Sequence, residues 1–267
     1  MKMIDEVGLD YGKFGYTQKD LGDGIIFSKL DIKKDANRLG FNAGSYRIIS
    51  VHNLFIMPKE QKDKVVETFV KVLKELLLKL NIKKTDKMIV CGLGNDDILA
   101  DSFGCKVCDK VLATNGILTK LTKSKVCTIS PNVKAVTGLD TLDIVSGIAS
   151  KICAKLIILV DSLMTKNIER IGHSFQISTC GIVPGGAIKS GKEISEKTTG
   201  VKCLTVGVPF MIDLKSISKK IQKQIIVSPK DCGEMVEVCS QIVADAINQY
   251  FNPTLNKNDI CELKRGF

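Results

Sequence analysis

From residue 46 to residue 250, short apolar runs of strand length alternate with stretches whose apolar residues recur at helical spacing. Residues 46–56 alternate and carry β-branched side chains, which predicts a strand. Pro58 suits the first position of a helix. Behind it Val65, Val66, Phe69, Val72, Leu73, Leu76, Leu77 and Leu80 form one apolar stripe reaching Asn81. Further strands are expected at 87–91, 126–129, 155–160, 174–178 and 201–208, the last closed by Pro209. Helices are expected over 101–114 and 141–152, and again from Ser228-Pro229 to Ile247. This alternation predicts an α/β fold with a mostly parallel central sheet and helices on both faces. Residues 1–44, rich in Gly, Asp and Lys, show no sustained periodicity. They are expected to form a loosely structured N-terminal segment ahead of one α/β domain over 45–267.

A chain of 267 residues can bury a sizeable core. Its longest apolar stretches have strand length, far short of a membrane span, and the acidic N-terminus does not read as a secretory signal. A cytoplasmic protein with no membrane partner is expected. The ten cysteines form no evenly spaced framework, and Cys91, Cys127 and Cys203 lie inside apolar strands, where a reduced thiol acts as a small hydrophobe. Cys105 and Cys108 form a CxxC with no second pair at zinc spacing, so no metal is expected. The net charge of +10 permits acidic partners, but it comes mostly from lysines spread along helical segments. With aromatics at 5%, no direct nucleic-acid binding is expected.

In a sheet of this kind, sites form beyond the carboxyl ends of the strands. Two strand ends carry carboxylates. Asp161 follows five consecutive apolar residues, 156–160, and so lies partly desolvated at the mouth of the sheet. Asp101 stands where the helix after the turn at 92–95 should begin. Each has an ordinary alternative: a helix N-cap for both, or a salt bridge to Lys166 or Arg170 for Asp161. If their strands are neighbours, the two carboxylates share a crevice and cannot both ionise easily. One then keeps a proton, giving a base to activate water and an acid to protonate a leaving amine. Asp101 is assigned as the base and Asp161 as the acid.

Other chemistries fit less well. Gly92-Leu93-Gly94-Asn95-Asp96-Asp97 lacks the third glycine of a dinucleotide turn and sets two acids where a pyrophosphate would lie, so no cofactor is expected. His173 follows Asp161 closely enough to approach the crevice, but it and His52 are the chain's two imidazoles. No GxSxG elbow occurs. Asp140 reads as a helix cap, while Asp143 lies beside an apolar face.

The motifs together resemble those of the spore germination protease family. The run Gly92-Leu93-Gly94-Asn95, followed by Ala100-Asp101-Ser102-Phe103-Gly104, resembles its GLGN and PDALG segments. Thr137-Gly138-Leu139-Asp140-Thr141-Leu142-Asp143-Ile144-Val145 resembles TGIETSDIV, and Ile158-Leu159-Val160-Asp161-Ser162-Leu163 its second aspartate strand. Gln176-Ile177-Ser178, Gly181-Ile182-Val183-Pro184-Gly185, Gly207-Val208-Pro209 and Ser228-Pro229-Lys230-Asp231 follow in the family's order. The resemblance implies an aspartic-type endopeptidase acting on small acid-soluble spore proteins in the spore core or forespore, with Asp101 and Asp161 as its essential pair. It also implies a homo-oligomer made as a zymogen that trims its N-terminus, the processing stretch falling near Thr17-Gln18-Lys19-Asp20-Leu21. The hydrogenase maturation endopeptidases, whose phosphorylase/hydrolase-like fold would be shared, are similar in the glycine turn and both acid positions. A binding protein of the same fold without activity is the third alternative.

Overall fold

The computed structural model describes residues 15–33, 42–116, 121–185, 191–218 and 220–265. Among the described residues, nine strands form one sheet: β1 (Thr17–Asp20), β2 (Ile25–Ile32), β3 (Gly44–Val51), β4 (Lys87–Gly92), β5 (Lys125–Ile129), β6 (Leu156–Thr165), β7 (Ser174–Ser178), β8 (Lys202–Asp213) and β9 (Ile226–Val227). Their order is β1-β2-β3-β7-β8-β6-β4-β5, with β9 pairing the far end of β8. The larger core lies between one face of the sheet and three helices, α1 (Lys59–Lys79), α2 (Phe103–Lys110) and α7 (Cys232–Phe251). Shorter helices are α3 (Lys134–Thr137), α4 (Thr141–Lys151), α5 (Glu196–Thr199), α6 (Leu214–Ile217) and α8 (Lys257–Arg265). On the other face, Val145 and Ala149 of α4 cover Ile89, Cys91, Ile157 and Leu159. Helices therefore lie on both faces, as the alternation predicts.

The sheet is mixed rather than mostly parallel. Strands β5, β4, β6 and β8 run parallel, whereas β7, β3, β2, β1 and β9 pair antiparallel. The cause is connection length. A parallel crossover needs a dozen or more residues, but β6 runs on to Thr165 and leaves only residues 166–173 before β7. The chain must turn back, and β7 enters the sheet reversed. Equally, β1 and β2 are joined by a tight turn with Gly22, Asp23 and Gly24 all at positive φ, which only an antiparallel hairpin accommodates.

Several element boundaries move with it. The strand expected over 46–56 stops at Val51 and gives way to a single 3-10 turn at Leu54–Ile56. Strand β8 does not stop at Pro209 but passes through it, because the ladder with β6 shifts register beside Leu163 and Met164. Proline is tolerated at such a bulge. Residues 17–32 are not loosely structured: β1 and β2 extend the sheet edge, and Ile25 and Leu30 are fully buried. The remainder of the 1–44 segment, at 1–14 and 34–41, lies outside the described residues.

A candidate carboxylate site

Every residue of β6 but Met164 is buried, so the strand needs apolar side chains on both faces. Asp161 is the exception at its centre. It pairs with Gly207 on β8, while on the other side β4 ends at Gly92 opposite Val160. Asp161 is therefore mid-strand within β6 and β8 yet one residue past the end of β4. The room for a carboxylate comes from that early end.

The chain leaving β4 then folds tightly against this opening. Leu93 N–H donates to Val160 O at 2.8 Å, adding one rung to the β4–β6 ladder. Gly94 adopts φ +109, and a side chain there would strike the carbonyl of Asp101. Gly104, in the first turn of α2, packs against the backbone of Leu93 and of Val160 with no space for a Cβ. These approaches bring the 3-10 turn Leu99–Asp101 to the edge of β6.

Asp101 is not a helix cap. Ser102 occupies that position, and the Asp101 carboxylate instead accepts the N–H of Asn95 at 2.8 Å, closing the loop on itself. Burial pushes its pKa up, and the Asn95 bond pulls the other way. Asp161 is pushed much further, from an ordinary 3.8 to about 8. Burial is the main cause and the charge of Asp101 the second, with the N–H of Ser162 acting in the opposite sense. The structure thus brings together the two carboxylates singled out in the sequence, and their charges act on each other. They are unequal: Asp101 opens onto a crevice of about 310 Å³ lined also by Asn95, Ile98, Lys134, Asp140 and Lys192, whereas Asp161 lies buried behind it.

Other candidates fall elsewhere. His173 does not approach the carboxylates. Its Nδ1 lies 3.0 Å from Val51 O, its ring meets Phe55 edge-on, and with His52 and Arg170 it lines a separate crevice of about 440 Å³ at the ends of β2, β3 and β7. That crevice is larger, but it holds no carboxylate pair. The CxxC thiols face backbone: Cys108 lies 3.4 Å from the carbonyls of Val90 and Ile129, and Cys105 lies 3.9 Å from that of Gly94. Both help seat α2 on the end of β4. Asp140 immediately precedes α4, but its side chain makes no cap hydrogen bond; it engages Lys134 and Lys192 instead. The sequence offered no signal for Asn95 as the residue that orients Asp101, because the contact is made by its backbone. Among the described residues, no helix is long and apolar enough to cross a membrane.

A buried, proton-holding carboxyl beside a more open carboxylate is the outline of an acid–base hydrolytic site. Comparison with known proteins gives the family. The family model described as germination protease matches residues 14–222. A germination protease of Geobacillus sp. (strain WCH70) is 32% identical over 204 residues, covering 73% of this chain and 55% of the relative. That of Oceanobacillus iheyensis is 32% identical over 202 residues, with coverage of 73% and 55%. That of Clostridium acetobutylicum is 26% identical over 286 residues, with 88% of each chain covered. This chain belongs to the germination protease family. It spans little more than half the length of the Geobacillus and Oceanobacillus relatives.

Proposed function

We propose that this chain is an endopeptidase of aspartic type that hydrolyses small acid-soluble spore proteins during germination. The observation that carries the reading is the unequal pair. Near neutral pH, Asp161 keeps its proton because its pKa is pushed up to about 8, and Asp101, more open and bonded to the Asn95 N–H, is the carboxylate. Asp101 takes a proton from a water molecule in the crevice, and the oxygen attacks the peptide carbonyl. Asp161 gives its proton to the leaving amine. Transfer of the proton from Asp101 back to Asp161 resets the pair, and water has been added across the bond. The pair as proposed needs no metal.

The substrate class is what membership of the family implies. The same reading extends to a spore-core or forespore location, a homo-oligomer, and a zymogen whose N-terminal segment within residues 1–44 is removed. The test is cleavage of a purified small acid-soluble spore protein by the wild type, Asp101→Asn and Asp161→Asn, each with and without a metal chelator. Cutting that survives chelation and vanishes in both variants is the expected result. Undiminished cutting by either variant refutes the pair.

A further inference from the structure

The crevice that Asp101 faces is completed by two other pieces of chain: residues 133–142, around α3 and the start of α4, and the arms 184–185 and 191–192. The arms are pinned to one another. Ile182 and Ile194 exchange backbone hydrogen bonds at 3.0 and 2.8 Å, and Gly191 passes the carbonyl of Pro184 too closely for any side chain. Between the wall and the returning arm stands Asp140. An aspartate at the start of a helix ordinarily caps it. This one does not: its carboxylate meets Lys134 Nζ at 3.2 Å and Lys192 Nζ at 3.1 Å, with Lys192 also 4.0 Å from Asp143. Its side chain is 18% exposed, against 60% and 58% for the two lysines that cover it.

We infer that Asp140 is a positioning residue for the substrate crevice: its carboxylate clasps Lys134 and Lys192 together, holds the 133–143 wall against the 191–194 arm, and offsets one of the two positive charges beside Asp101. The inference rests on the proteolytic reading above for its kinetic consequence, but not for its structural one. Two lysines, one from the wall and one from the arm, meet at one carboxylate, so removing it frees wall and arm at once. Removing either lysine frees one side. The ion pairs are solvent-facing and therefore sensitive to salt. The carboxylates of Asp101 and Asp161 are not among the clasp's partners, so the chemical step is left intact.

The test compares wild type, Asp140→Asn and Asp140→Glu in two measurements. In hydrogen exchange, Asp140→Asn is expected to speed exchange in 133–143 and in 191–194 while leaving β4 and β6 unchanged, and Asp140→Glu to restore protection. In cleavage of a small acid-soluble spore protein, Asp140→Asn is expected to raise KM about three- to tenfold, the scale of two exposed ion pairs, with kcat within about twofold. Wild-type KM rises toward the variant's value as salt approaches about 1 M, where screening shortens to about 3 Å, and the variant's KM responds less. Unchanged exchange in both segments overturns the clasp whatever the activity. A fall in kcat at constant KM overturns its assignment to substrate positioning. Faster exchange in a protein whose wild type cuts nothing supports the clasp and overturns the proteolytic reading instead.

Discussion

Replacing Asp161 by asparagine is expected to stabilise the protein at neutral pH while removing its activity. The folded protein holds the Asp161 proton up to about 8, whereas the unfolded chain releases it near 3.8. Between those values the folded state binds more protons than the unfolded one, so stability falls as pH rises. The contribution is fully present below 3.8 and is lost progressively as pH climbs through the folded value. At pH 7 the unfolded carboxyl lies 7 − 3.8, or 3.2, pH units above its pKa. At about 1.4 kcal/mol per unit, the loss relative to acid is on the order of 4 kcal/mol. An amide resembles the protonated carboxyl in shape and carries no such cost. Urea unfolding followed by circular dichroism at pH 4, 5.5 and 7 reads the difference between Asp161→Asn and wild type. It is expected to be small at the acid end and to widen to several kcal/mol at the neutral end. A difference that is independent of pH, or that widens toward acid, refutes the claim that Asp161 is a buried acid holding its proton. A site that costs stability for the sake of function is a common trade.

The charge of Asp101 contributes to that raised value, so Asp101→Asn is expected to bring the Asp161 pKa down without restoring it to 3.8, as read from its carboxyl carbon in an NMR titration. Gly104→Ala drives a methyl group into the backbone of Leu93 and Val160. It is expected to cost more than about 2 kcal/mol in urea unfolding, and an unaltered midpoint would show that the turn is not held as described. Arg47, whose side chain is fully buried, lies 2.6 Å from Glu75 and 3.1 Å from Asp31. The Arg47 hydrogen bond leads in holding Glu75 low, and the bonds to Ser45, Arg47 and Lys79 overcome burial to hold Asp31 at about 2. Depressed carboxylates stabilise above their unfolded pKa, and the benefit is lost as pH falls through the folded value. Arg47→Met should therefore flatten the loss of wild-type stability between about pH 4.5 and 2, measured by thermal unfolding. Cys153 and Cys261 are exposed, and a thiol-reactive disulfide reagent is expected to label them first, with the seven buried cysteines reacting only on unfolding.

What could be read from the sequence was set by what each signal depends on. The stripe of α1 and the apolar runs of β4 and β6 are local patterns, and each element begins where its pattern places it, within a residue. Strand direction is not local. It follows from how many residues separate two strands, so a five-residue misjudgement of where β6 ends was enough to hide the reversal of β7. Likewise β1 and β2 escaped because Thr17–Asp20 is wholly exposed at the sheet edge and β2 interleaves Lys29 and Asp31 with its buried positions. The acid pair was legible because a carboxylate inside an apolar run has few uses. Its inequality was not, since that depends on β4 ending one residue short of Asp161 and on the turn that seats Asp101 over the gap. Asp140 shows the same boundary from the other side. Its place before α4 reads as a cap, and only the return of residues 191–194 brings the lysine that turns it outward. Sequence names the carboxylates; the packing of distant segments decides which is buried and which is paired with lysines.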